Sequence, residues 1–186
     1  NGATVTFAVG ATTAESTPFT IQADDVYNDG ETYEITVAST TGGNFENLVT
    51  TDKATVTVTD TKDTTTLTLN DVSVNEGTGT ATVGGSLDYA PQTTLVVTLS
   101  NGATITFGPN YVVGTVVQST PFVIQTDDVY KDGETYTLTV ASTIGGNFEN
   151  LVTTDTAKVT ISDTTTPVTL TLNDVSVNEG TGTATV

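Results

Sequence analysis

The residues of this chain that could do chemistry are its carboxylates. The sequence holds 22 Asp and Glu against four basic residues, with no Cys, His, Met or Trp, and its formal net charge is −18. Without Cys or His, the ordinary zinc, haem and iron–sulfur sites and the common Ser-His and Cys-His nucleophile pairs are excluded. The charge also disfavours binding to nucleic acid or anionic lipid. A hard divalent cation, calcium above all, is the ligand that suits carboxylate oxygens.

The carboxylates gather at turns, before and after apolar segments. Those placed in this way are Glu76, Asp127, Asp128, Asp132, Glu134 and Asp163, with Asp24, Asp25, Asp60 and Glu179 at corresponding places elsewhere. Loops at one end of a sandwich converge, so the acids would repel one another unless a cation lay among them. Calcium takes about six to eight oxygens, which such loops supply, so Ca²⁺ is the expected ligand. The alternative is that Asp, Asn and Gly simply form turns and keep an exported protein soluble.

A repeat explains why the acids recur. The stretch Leu67–Val83 returns letter for letter at Leu170–Val186, 103 positions later, and Gly42–Asp52 returns at Gly145–Asp155 with the same offset. A period of about 100 residues is typical of serial folded domains rather than of a solenoid.

We therefore expect one complete copy of the repeat within the chain. It occupies residues 64–163, preceded by the latter part of a copy at 1–63 and followed by the opening strands of another at 164–186.

Within a copy, apolar residues alternate with Thr at the period of a β-strand. Tyr136, Leu138 and Val140 show the pattern, and the chain contains 47 Thr. Asn101-Gly102 between two such segments predicts a hairpin with a type I′ turn. Strands are expected at 66–74, 79–83, 94–100, 102–107, 119–125, 134–142 and 156–163. Short strands at this spacing favour an all-β fold of tandem immunoglobulin-like antiparallel β-sandwiches.

The aromatic residues divide into core and surface. Tyr27 and Tyr130 lie between acidic groups and are expected to pack over their loops, although exposed Tyr could also stack on sugars. The residues expected in the core are Phe7, Phe19, Phe45, Phe107, Phe122 and Phe148.

The residues also resemble a known family. The order NEGTGTATV, FVIQTDDVYKDGETYTLTV and AKVTISDT resembles a Calx-β-type sandwich, and the Thr-rich copies resemble the extender repeats of giant bacterial RTX-type biofilm adhesins. In the Calx-β family the early Glu, the middle acidic pair and the closing Asp contribute to calcium sites. This resemblance implies such a role for Glu76, for Asp127 and Asp128, and for Asp163. The closing run of Asp is shorter here, so one or two ions per copy, shared across the junction between copies, are expected.

Together these observations predict a non-enzymatic structural extender on the bacterial cell surface, extracellular and stiffened by calcium at domain ends and junctions. Its partners would be neighbouring repeats of the same chain. Partial copies at both ends leave strands without partners, so complementation between neighbouring chains into a filament is a further expectation. A carbohydrate-binding module is the alternative. Nucleic acid binding is not expected, because the chain is strongly negative. Membrane insertion is not expected either, because no apolar run approaches the roughly 18 residues that cross a bilayer.

Overall fold

The computed structural model describes residues 1–186 as strands and loops, without helix. No helix that could span a membrane is therefore found. The strands are β1 (Glu31–Thr36), β2 (Lys53–Val58), β3 (Thr64–Leu69), β4 (Val72–Asn75), β5 (Thr80–Ala81), β6 (Gly84–Leu87), β7 (Leu95–Leu99), β8 (Thr104–Phe107), β9 (Val117–Gln118), β10 (Phe122–Val123), β11 (Glu134–Leu138), β12 (Val140–Ile144), β13 (Asn150–Val152) and β14 (Ala157–Ser162).

Strands β3 to β14 surround one hydrophobic core. Their sheets have the strand orders β13-β3-β6-β9, β12-β7-β8, β11-β14-β4 and β10-β5. Sixteen buried apolar residues, from these sheets and the segments next to their strands, form a single cluster, which includes Leu67, Leu95, Phe107 and Val159. Alternate residues of β7 and β14 point inward, as the period-two pattern predicts. The all-β prediction is confirmed and the arrangement is consistent with a β-sandwich; the tandem immunoglobulin-like array stays a prediction.

Two strand pairs are parallel, which corrects the expectation of a wholly antiparallel sandwich. Strand β14 runs parallel with β4, with Val159 opposite Val72 and Ser162 opposite Asn75. Strand β13 runs parallel with β3. The opening and closing segments of the copy therefore lie side by side and point in the same direction.

The predicted strand 66–74 is divided at Asn70-Asp71. The Asn70 N–H donates to the Gly84 carbonyl at 2.8 Å, whereas the Asp71 carboxylate accepts from the Lys158 N–H at 2.7 Å. One residue thus belongs to the sheet of β6 and the next to the sheet of β14. The chain changes sheets at this point, which alternation alone does not reveal.

The sequence pattern does not predict strands β6, β9 and β13, and the hairpin turn differs from its prediction. Strand β6 opens with two Gly, which usually weaken a strand, but a Cβ on Gly84 would lie 2.6 Å from a Val116 methyl carbon. The hairpin β7–β8 is present, yet only Gly102 has positive φ, at +86°. Its N–H donates to the Leu99 carbonyl at 2.9 Å, so the loop is a three-residue turn with a bulge rather than type I′.

The partial copies contain few strands. In residues 1–63 only β1 and β2 pair, and residues 164–186 contain no strand, contrary to the expected opening strands. The core prediction is wrong for Phe7 and Phe45, which are 58% and 68% exposed, because no facing sheet covers them. Phe107 is buried, and Phe122 and Phe148 pack against the core.

Candidate metal centre

Three carboxylates converge where β4 and β14 finish. Glu76 follows β4, Asp163 follows β14, and Asp132 lies just before β11. One carboxylate oxygen from each residue lies within 4.8 Å of the others. The parallel register explains the pairing, because Asn75 and Ser162 are opposite each other and the next residue of each strand is an acid. Glu76 also donates its N–H to the Ser162 carbonyl at 3.0 Å.

Glu76 is the buried member of this cluster, with 3% of its surface exposed. Its Oε1 accepts from the Thr164 N–H at 2.9 Å and from the Thr164 hydroxyl at 3.3 Å. Its Oε2 has no hydrogen-bond partner, and neither does the buried Oδ1 of Asp163. A buried acceptor without a partner is costly, more so when it is charged. Two such atoms in one cluster are the orphaned oxygens that a bound cation would satisfy.

The negative charges of the cluster are not neutralised by a basic side chain. The Thr164 N–H bond is the largest influence and lowers the pKa of Glu76, but burial and the negative charge of Asp163, with smaller effects from Asp127 and Asp132, outweigh it. The net pKa of Glu76 is raised above its ordinary value. The ion pair of the chain joins Lys53 to Glu34, away from this cluster. Like charges are therefore held together without a basic side chain between them.

Asp127 lies at the rim of the cluster. Its carboxylate accepts hydrogen bonds from the hydroxyls of Thr164 and Thr166. Thr164 thereby links Asp127 to Glu76. Gly77 allows the close approach, since its φ is +77° and a Cβ there would lie 2.8 Å from the Asp127 Cβ. The Asn-Glu-Gly turn therefore needs glycine at position 77, because the loop that carries Asp127 packs directly against it.

The carboxylates of Asp128 and Asp25 form hydrogen bonds within their own loops. The Asp128 Oδ1 accepts from the Tyr130 N–H at 2.7 Å, and the Asp25 Oδ1 accepts from the Tyr27 N–H at 2.8 Å. These are Asx turns, in which the side chain caps the backbone two residues on. The structure does not bring either residue into the three-carboxylate cluster.

Glu134 and Glu179 also lie outside the cluster. Glu134 is exposed at the start of β11. The pKa of Tyr136 is raised mainly by the burial of the Tyr136 ring and secondarily by the charge of Glu134. Glu179 is exposed in a segment without strands.

The partial copy at 1–63 reproduces part of the arrangement. The Thr61 hydroxyl donates to Asp24, as Thr164 does to Asp127, and the Asp60 carboxylate accepts from the Asp29 N–H at 3.0 Å. Residues 1–63 contain no counterpart of Glu76, which precedes Asp163 by 87 positions. The structure therefore brings Asp24 and Asp60 to one end of this copy without completing the cluster.

Sequence reasoning missed two groups of residues. Thr164 was not assigned a role, although an Asp-Thr pair closes both copies, at 60–61 and at 163–164. The second group comprises acids that accept backbone N–H groups near strands rather than facing a cation: Asp71, Asp88 and Asp155. No spacing in the sequence separates these acids from the clustered ones, because both sit in turns.

Comparison with known families gives one relationship. The model of the LapA domain matches residues 1–61 and 63–164, which is most of the chain. LapA is a large adhesin of biofilm formation. No curated protein matches the chain significantly.

Proposed function

The chain belongs to the LapA domain family, and from this premise we propose that it supplies structural extender repeats to a bacterial cell-surface biofilm adhesin, stiffened by calcium. The family match carries the adhesin relationship. The extender role is supported by the 103-residue repetition, because serial folded copies add length. The Calx-β resemblance, the extracellular location and the absence of enzymatic activity stay predictions.

The calcium part of the proposal is carried by the orphaned oxygens of Glu76 and Asp163. These residues and Asp132 would hold the ion, with Asp127 near enough to contribute at the rim. The donor set consists of carboxylates, and Thr hydroxyls stand beside it, which is the oxygen chemistry that calcium prefers over softer metals. Such a set suits Ca²⁺ better than zinc, whose structural sites are built from Cys and His.

Calcium would supply positive charge where the fold buries negative charge. Ligands that bind only the folded state stabilise it by mass action, by roughly 4 kcal/mol at a thousandfold excess over the dissociation constant. Because Asp163 and Thr164 directly precede the 165–186 segment, an ion here would also fix the exit of the chain from the copy.

The test is thermal unfolding of Glu76→Gln with and without calcium. Gln keeps the acceptor for the Thr164 N–H and removes the charge, so the calcium-dependent rise in Tm should be lost. In EGTA the variant should be at least as stable as the wild type, since one repulsive buried charge is gone.

Glu179→Gln is the matched control. It makes the same change in the same local sequence, but at an exposed site, so at concentrations where the chain is monomeric the calcium response should be unchanged. An undiminished Tm rise in Glu76→Gln would refute the proposed site.

Strand complementation between chains is a second candidate, favoured by an open strand edge. Strand β14 pairs with both β11 and β4, whereas the corresponding β2 pairs only with β1. Val175–Asn178 has the sequence of β4 and no strand partner. If this segment of one chain paired with β2 of another, in the register that β4 has with β14, Val175 would lie opposite Val56. Glu179 would then lie beside Asp60.

Sedimentation at high protein concentration tests this assembly. Wild type should form larger species as concentration rises, and Val177→Lys should remain monomeric because the charge falls within the added strand. Val168→Lys, outside that strand, should assemble normally. Monomeric wild type throughout would dispose of the candidate. The carbohydrate-binding alternative stays an untested prediction.

A further inference from the structure

A loop of the first partial copy docks on the complete copy. We call residues Asp25–Asn28 the docked tip. Within it Val26 is 7% exposed and Tyr27 is partly buried. The tip pairs through a β-bridge between Tyr27 and Phe148, which lie in different copies of the repeat. This contact joins two successive units by side chains as well as by the connecting backbone.

The ring of Tyr27 enters a socket made by two loops of the complete copy. It stacks on Phe148 with centroids 5.9 Å apart and an interplanar angle of 23°. Its hydroxyl donates to the Ala90 carbonyl at 2.7 Å. The two loops are joined by Asn147, whose Nδ2 donates to Gln92 Oε1 at 2.7 Å. We call Ala90, Gln92, Asn147 and Phe148 the socket.

Backbone hydrogen bonds fix the orientation of the tip. The Asn28 N–H donates to the Asn147 carbonyl and the Glu149 N–H donates to the Val26 carbonyl, both at 3.1 Å. Asn147 has φ of +59°, a conformation that Asn adopts more readily than most residues. The connecting segment is held as well, because the Asp63 N–H donates to Glu149 Oε2 at 2.6 Å.

The chain contains a second tip with the same Asx turn and no socket. We call residues Asp128–Lys131 the free tip. Its Asx turn matches that of the docked tip, at 2.7 against 2.8 Å, but Val129 is 50% and Tyr130 71% exposed. The two tips differ in sequence at one position, where Lys131 replaces Asn28. Asn28 contacts the socket through its backbone N–H and carbonyl, which Lys also has.

We propose that the free tip is a docking surface for the socket of a further repeat, and that tip and socket set the angle between consecutive repeats without a metal ion. The partner is a copy bearing the Gly-Gly-Asn-Phe loop and the Ala-Pro-Gln segment of this chain. The two tips are equivalent in sequence and in their Asx turns, and one of them is already docked. The inference rests on the proposed function as serial repeats and names the contact between them.

The first experiment compares Tyr27→Ala with Tyr130→Ala by hydrogen exchange. The amides of Asn28 and Glu149 donate across the contact, so they should exchange at least about ten times faster in Tyr27→Ala. They should be unchanged in Tyr130→Ala, which makes the same change on the free tip. Tyr27→Phe keeps the stacked ring, and should give an intermediate rate. Equal rates in both alanine variants would overturn the docking role.

The second experiment supplies the missing socket. Val186 corresponds to Val83, so continuing the chain with a second copy of residues 84–163 keeps the 103-residue period. Tyr130 should then resist iodination to the extent that Tyr27 does, in calcium and in EGTA alike. Tyr130 reacting as fast as in the original chain would overturn the proposal.

The outcomes separate docking from calcium stiffening. Protection of Tyr130 with no calcium response at Glu76 would refute only the metal site. A calcium response with Tyr130 unprotected would refute only the tip and socket.

Discussion

Glu76 and Glu179 lie in identical stretches of sequence and have different environments. Glu76 is buried beside Asp163 with one oxygen orphaned, whereas Glu179 is exposed. The difference comes from Thr164 and the end of β14, which reach Glu76 and have no counterpart at Glu179. At the scale of single residues, the chemistry of a carboxylate in this chain is set by the strand that lies beside it.

Glu134 illustrates the same point, and it allows a test by pH. Burial, and secondarily the charge of Glu134, raise the pKa of Tyr136 above 10.0. Ionisation of Tyr136 is disfavoured in the folded state. The contribution of neutral Tyr136 to the free energy of unfolding is therefore fully present below pH 10, and it is lost as the pH rises through the folded-state pKa. Glu134→Gln should lower the pKa of Tyr136, as followed by NMR.

Glu31→Gln serves as the control for that titration. It changes the corresponding residue of the partial copy and should leave the Tyr136 titration unaltered. A Tyr136 curve that is identical in Glu134→Gln and wild type would contradict the electrostatic assignment.

At the scale of elements, strand formation depends on partners more than on local sequence. The residues of β3, β4 and β5 form strands, and the letter-identical segment 170–186 forms none. Apolar alternation therefore predicted the strands of the complete copy well and overestimated those of the partial copies. Propensity marks a segment that can pair, and long-range contacts decide whether it does.

The same dependence limits what sequence reveals about the site. The grouping of acids at one end could be predicted, because turn positions were readable. The membership of the cluster could not, because it follows from the parallel register of β14 with β4. Asp128 and Asp71 carry the same side chain as Asp163, and only their backbone partners distinguish them.

Phe107 and Phe7 give a test at this scale. Both end the same Gly-Ala-Thr-x-Thr-Phe motif, but Phe107 is fully buried and Phe7 is 58% exposed. Phe107→Ala should cost about 3–5 kcal/mol of unfolding free energy, and Phe7→Ala less than about 0.5 kcal/mol. Chemical denaturation measures both. Similar losses in the two variants would show that the partial copy has a core of its own.

At the scale of the whole molecule, charge repulsion and the contacts at the junctions have opposite effects on how freely the copies move relative to each other. A net charge of −18 favours extended arrangements of the copies, while the docked tip and a bound ion would restrict them. Stiffness would then come from specific contacts, and its calcium-dependent share from the Glu76 cluster.

Small-angle scattering checks this balance. The maximum dimension of the wild-type chain should change when EGTA is added at fixed ionic strength, because the cluster would lose the ion proposed to hold the exit of the chain. Glu76→Gln should show the EGTA-like profile in calcium as well. An unchanged dimension in wild type would count against ion-dependent stiffening, whatever the effect of calcium on Tm.

The parallel pairing of β4 with β14 has a mechanical consequence. The chain enters the copy through β3, continues into β4 after two residues, and leaves after the end of β14, and β4 and β14 run in the same direction. Tension applied to the two ends slides these strands past each other, so the hydrogen bonds between them bear the load simultaneously. Unzipping them one at a time would need a pull across the strands rather than along them.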